Sequence, residues 1–190
     1  GKMGTNLARA IYGKVATITL VDINDVRLDR VAESLQSVVA KTDIQKFNNK
    51  EDVGGITRIL SDNHIAVSTT SNLTRILRPD QIPANSIIID DSRPEGIPRD
   101  LNGQNSVVLE GGLMRIQGIE QHYDFGFGVD ENVFGCLCES FMLTADRMKH
   151  ISPTLGDVNF KNFNEMLSVY KQLGVTVGDF KCLEKYIAED

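Results

Sequence analysis

A chain of 190 residues is long enough for one sizeable core with a few appended helices. Hydrophobic residues make up 41% of it and charged residues 24%, the proportions of an ordinary globular protein. A net charge of -6 and an isoelectric point near 5.1 supply no basic footprint, so nucleic acid is excluded as an expected partner.

No apolar run approaches the length of a membrane span. The opening Gly1-Lys2-Met3-Gly4 is not a basic and then apolar leader, and the missing initiator Met points to a portion of something longer. Three cysteines, Cys136, Cys138 and Cys182, are too few and too unevenly spaced for a disulfide framework, and they fit a reducing cytoplasm. None of the three His residues neighbours a Cys, so no zinc pattern exists and no metal is expected.

In chain order, residues 4–12 read as a helix with Leu7, Ala8 and Ile11 on one face. Val15 to Val21 is β-branched and apolar, a buried strand. Leu28, Val31, Leu35 and Val38 recur at helical spacing within 26–39. A short strand is expected over 44–47, a helix over 50–60 and a strand over 64–68. That strand runs into the polar sequence Ser68-Thr69-Thr70-Ser71-Asn72. Pro79 and Pro83 bracket a turn. Residues 86–90 form a strong buried strand, followed by the loop Asp91-Ser92-Arg93-Pro94-Glu95-Gly96. Residues 106–109 are the last clear strand, entering Gly111-Gly112.

Beyond Gly112 the pattern changes to a loop over 124–128, a helix over 132–148 capped by Asp130, and a helix over 160–173. No repeat or long linker interrupts the chain, which reads as a single domain with a helical segment over 131–190. Alternating helices and near-continuous apolar strands predict an α/β fold: a doubly wound parallel sheet of Rossmann type, covered by helices on both faces. Its first strand is expected upstream of Gly1.

Gly1-Lys2-Met3-Gly4 followed by a helix looks like the second half of a glycine-rich dinucleotide fingerprint. One glycine permits a tight turn, and another lets the backbone approach a diphosphate at the positive end of the helix. Taken alone, the pattern also describes any helix preceded by a turn. Asp22 strengthens it, because the acid closes the second strand where such folds hold the ribose hydroxyls. A carboxylate there repels a 2′-phosphate, which favours NAD over NADP. Asp22 also suits a turn or helix cap within Asp22-Ile23-Asn24-Asp25, a role that Asn24 or Asp25 can fill instead. Ser68, Thr69 and Thr70 end a strand where open α/β sheets bind ligands, and they read equally well as an ordinary polar loop.

Cys136 and Cys138 stand two apart on an expected helix, so they point to opposed sides. Cys136 comes early in that helix, where the N-terminal field favours a thiolate. A small buried hydrophobe is the commoner role for a cysteine.

The chain resembles the carboxyl-terminal two thirds of the cyanobacterial long-chain acyl-[acyl-carrier-protein] reductases. The resemblance rests on four stretches: Gly1-Lys2-Met3-Gly4-Thr5; Arg27-Leu28-Asp29; Val108-Leu109-Glu110-Gly111-Gly112; and, most specifically, Val133-Phe134-Gly135-Cys136-Leu137-Cys138-Glu139. It implies an NAD(P)-dependent reduction of an acyl thioester to an aldehyde, with Cys136 as the nucleophile. The implied partners are the thioester on acyl carrier protein or coenzyme A and, in some arrangements, further copies of the chain. His122 is a candidate proton donor for the leaving thiol, though it reads better as a loop histidine with no catalytic part. The family has a basic residue where this chain has Asp22, and its segment between Gly112 and Cys136 is longer. Its amino-terminal domain, which contributes to acyl binding, has no counterpart here. Two other readings use the same cofactor domain without Cys136: a dehydrogenase of the shikimate-dehydrogenase or glutamyl-tRNA-reductase kind, and a non-catalytic NAD-binding regulatory domain.

Overall fold

The computed structural model describes residues 1–38, 40–50, 54–63, 65–72, 75–101, 105–119, 121–124, 131–153, 156, 158–182 and 185–187. The chain divides into two compact units, Gly1–Val108 and Leu109–Asp190. The division falls inside a strand, Val107–Glu110, which is why no Pro- or Gly-rich linker marks it in the sequence.

The first unit opens with helix α1, Lys2–Ile11, which buries Ala8. Strand β1 spans Thr17–Asp22 and begins two residues later than expected, with Val15 left 40% exposed. Helix α2, Asp25–Gln36, is capped by Asn24, whose side chain accepts from the Arg27 N–H at 3.1 Å. It buries Leu28, Ala32 and Leu35 and stops before Val38, which lies exposed; Val39 falls outside the described residues. Strand β2, Asp43–Asn48, pairs parallel with β1 from Thr17↔Asp43 to Asp22↔Asn48.

Helix α3 is Gly55–Asp62, and residues 51–53 of the helix expected there lie outside the described residues. Strand β3, Ile65–Ser68, and strand β4, Ile87–Asp90, run parallel from Ile65↔Ile87 to Ser68↔Asp90. A 3-10 turn at Pro79–Gln81 lies between them in sequence. With strand β5, Val107–Glu110, they form a three-stranded parallel sheet in the order β3-β4-β5. Ile56 and Leu60 of α3 join Leu77, Ile82, Ile88, Ile97 and Val108 in one core cluster. Full burial of an aliphatic side chain such as Ile88 contributes roughly 1.5–3 kcal/mol. The expectation of strands buried on both faces is corrected here: Ile65, Val67 and Ile87 remain 56%, 40% and 43% exposed. An unbroken apolar run hides the period-two alternation that decides which face is covered.

The second unit is not the helical segment expected from the sequence. Strand β6, Leu113–Ile116, strand β7, Asn132–Phe134, and strand β8, Val175–Val177, form an antiparallel sheet ordered β7-β6-β8. Helix α4, Gly135–Thr144, follows β7 directly, and a 3-10 turn covers Asp146–Met148. Helix α5, Phe160–Val169, continues as 3-10 helix over Tyr170–Leu173 and ends at Gly174, whose φ of 73° is a left-handed cap. Strands β9, Lys181–Cys182, and β10, Lys185–Tyr186, pair antiparallel.

The single helix expected over 132–148 is therefore a strand, a helix and a turn. Asn132 and Val133 are nearly fully buried in the sheet, and the Gly135 N–H donates to the Gly112 carbonyl at 2.7 Å where α4 begins. Asp130 and residues 125–128 lie outside the described residues, and the helix N-cap falls on Phe134. Ile116, Val133, Cys138, Met142 and Val175 form this unit's core.

Candidate functional site

Asp22, Ser68 and Asp90 are the last residues of β1, β3 and β4, so each lies at the carboxyl end of a parallel strand. The start of α1 meets two of these ends. The Gly1 nitrogen is 3.6 Å from Asp22 Oδ2, and a Cβ added at Gly4 would lie 2.9 Å from Thr69 Oγ1. Gly1, Lys2 and Met3 are exposed, and nothing lies within 4 Å of a Cβ built on Gly1. The first N–H groups of a helix have no partners within it, so an open helix start beside small residues fits an anionic diphosphate.

Helix capping is done by Asn24, so Asp22 is not spent on that task. Its carboxylate accepts from the Asn24 N–H at 3.2 Å through Oδ1 and from Arg27 Nη1 at 3.2 Å through Oδ2, and its side chain is 15% exposed. Arg27 offsets part of the negative charge that would face a ribose. Ile23 lies on the surface, 65% exposed.

Of the hydroxyl run, Ser68 is buried while Thr69 and Thr70 are half-buried. Ser68 Oγ is hydrogen-bonded to Ser92 Oγ at 2.7 Å, and the Thr70 N–H donates to the same Ser92 oxygen at 3.2 Å. Ser92 belongs to a loop gathered around Asp90, whose carboxylate is fully buried. Oδ1 accepts from the Ser92 N–H at 3.1 Å, and Oδ2 accepts from Gly96 and Ile97 at 3.0 and 3.1 Å. Arg99, with a side chain 5% exposed, pairs with Oδ2 at 3.1 Å. Neighbouring Asp91 is half-buried, and that burial raises its carboxyl pKa, with Asp90 adding to the shift and Arg93 opposing it.

In the second unit, Cys136 is the second residue of α4 and is exposed, whereas Cys138 is buried against the core, which pushes its thiol pKa up. The strand leading into α4 is fixed by polar contacts. Asn132 Nδ2 donates to Asp179 Oδ2 at 2.9 Å, and Asn132 Oδ1 accepts from the Asp179 N–H at 2.9 Å. Arg115 bridges Glu131 and Asp179. The Cys136 carbonyl accepts from Ser140 Oγ at 3.0 Å. His122 is exposed.

No protein-family model matches the chain, and no curated protein matches it. The structure thus brings Gly1, Gly4, Asp22 and Thr69 together in the first unit, while Cys136 belongs to the second. Sequence reasoning passed over Asp90, Ser92, Gly96 and Arg99. The only cue was a run of small and acidic residues around Pro94 after an apolar strand, which reads as a generic loop.

Proposed function

We propose that the chain binds a nicotinamide dinucleotide through its first unit and reduces an acyl thioester through Cys136. The observation that carries the reading is the meeting of the α1 start with the ends of β1 and β3. Gly1 and Gly4 would hold the diphosphate, Asp22 the ribose hydroxyls, and Thr69 and Thr70 the nicotinamide side. Strand order supports it as well. β2-β1 and β3-β4-β5 each end on a strand with one partner among the described residues. One further parallel strand between β1 and β3 would complete the doubly wound order of dinucleotide-binding sheets.

Cys136 is exposed at the first turn of α4, where its sulfur is open to an incoming acyl thioester. Attack by its sulfur on the acyl carbon forms a new thioester, and the carrier thiolate leaves with the electron pair of the broken C–S bond. A bound dinucleotide would supply a hydride to the acyl carbon, and the Cys136 thiolate would leave with the electron pair of the C–S bond as the aldehyde forms. Cys138, in the core, takes no part.

Cys136→Ala should abolish the acyl adduct seen by mass spectrometry after incubation with acyl-coenzyme A or acyl carrier protein, while NADH binding persists. Reduction at the wild-type rate by this variant sinks the covalent mechanism and leaves a dehydrogenase without a cysteine intermediate. NADH binding with no hydride transfer to any acyl thioester leaves a regulatory domain. Asp22→Ala removes charged hydrogen bonds worth about 1.5–3 kcal/mol, so NAD affinity should fall roughly 10- to 100-fold and discrimination against NADP should relax. Equal NAD affinity of wild type and variant by titration calorimetry removes Asp22 from the site.

A further inference from the structure

We infer that Asp90 and Ser92 form a buried polar node that positions Thr69 and Thr70 for the dinucleotide, an inference that rests on the dinucleotide reading above. Asp90 ends β4 with its carboxylate fully buried, and three backbone N–H groups of the following loop, at Ser92, Gly96 and Ile97, converge on it. That convergence folds the loop back over the strand end and brings Ser92, itself fully buried, against β3. Ser92 Oγ is then hydrogen-bonded to Ser68 Oγ at 2.7 Å and accepts from the Thr70 N–H at 3.2 Å. Thr69 lies between these two anchored residues, and it is the residue that meets Gly4.

Space at the node is as restricted as its hydrogen bonding. A Cβ on Gly96 would fall 2.9 Å from Ser92 Oγ, 3.0 Å from Ser68 Oγ and 3.0 Å from Thr70 Cγ2. The Gly96 carbonyl also accepts from the Ile76 N–H at 2.8 Å, which ties the far side of the same loop. Hydrogen bonds are directional where apolar packing is not, so a polar node holds one placement of the strand end. Ser68 is thereby a support for the site, with its hydroxyl turned to Ser92, and Thr69 and Thr70 are the residues presented to ligand.

The test titrates NADH, followed by its fluorescence, into the full chain well below its melting temperature. The proteins compared are wild type, Ser92→Ala, Gly96→Ala, Ser68→Ala and the apolar core variant Leu60→Ala, which removes no hydrogen bond of the node. Positioning predicts about tenfold weaker NADH binding for Ser92→Ala and Gly96→Ala, with wild-type affinity for Leu60→Ala even where its Tm falls further. A smaller loss is expected for Ser68→Ala, since Ser92 keeps its bond from Thr70. Where Ser92→Ala does not fold, Gly96→Ala and Ser68→Ala carry the same comparison. Affinity that tracks Tm across all variants, Leu60→Ala included, overturns the inference. So does wild-type affinity in the node variants, with the dinucleotide reading left standing. A wild-type chain that takes up neither NADH nor NADPH overturns that reading, and this inference with it.

Discussion

Replacing Asp90 by Asn keeps the volume of the side chain and removes its charge, so cavity formation does not enter. The buried carboxylate serves three backbone N–H groups and the nearly buried Arg99 guanidinium. An amide has one oxygen. Turned toward Gly96 and Ile97, it puts its NH2 against the Ser92 N–H; turned the other way, it forfeits two bonds. At least one backbone N–H loses its acceptor, at about 1 kcal/mol. Arg99 keeps its charge without the carboxylate, and breaking a buried ion pair from one side costs about 3–5 kcal/mol. The total, about 4–6 kcal/mol, is a large fraction of the roughly 5–15 kcal/mol by which domains are stable. At about 4–8 °C per kcal/mol for a unit of this size, Tm should fall by at least about 15 °C.

Far-UV circular dichroism during heating, with urea melts in parallel, reads this loss. The control Asp80→Asn removes an exposed pair with Arg78 and should leave Tm unchanged. In a double-mutant cycle, Asp90→Asn with Arg99→Gln should lose less than the two singles together. A Tm for Asp90→Asn within about 2 °C of wild type would refute the reasoning, since a buried ion pair cannot be broken from one side so cheaply.

Asp91, whose folded pKa is raised by burial, contributes stability that is full below the ordinary aspartate pKa of about 3.9 and is lost as pH rises through the higher folded value. Asp91→Asn should therefore melt above wild type at neutral pH and lose that advantage below about pH 4; a Tm difference that does not change with pH contradicts the assignment. Gly178→Ala drives a Cβ to 2.7 Å from the Leu113 carbonyl carbon and 2.8 Å from Asn132 Oδ1, so about 1–3 kcal/mol of destabilisation is expected in urea melts. Wild-type stability in that variant would mean that β6 and β7 yield freely.

Strands β1, β3, β4 and β5 were legible because each carries an apolar run such as Ile87-Ile88-Ile89. That Asp22 closes a strand was legible because the apolar run before it ends there in a polar turn. The second sheet was not, because its strands, such as Asn132–Phe134 and Val175–Val177, offer no unbroken apolar run. Their pairing also depends on partners distant in sequence, as with Ile116 and Val175. Asp90 and Ser92 were illegible for a related reason. A strand-end acid becomes a buried hub only when the backbone that follows wraps around it, and side-chain identity does not encode that wrapping.

The parallel pairing of β1 with β2, and of β3 with β4, also sets a temporal order on the nascent chain. Thr17 cannot find Asp43, nor Ile65 find Ile87, until the crossover between them has closed. Ladders of this kind lose loop entropy before any pairing rewards it, so they assemble slowly. The strand ends Asp22, Ser68 and Asp90 are thus brought into register only once those crossovers have closed.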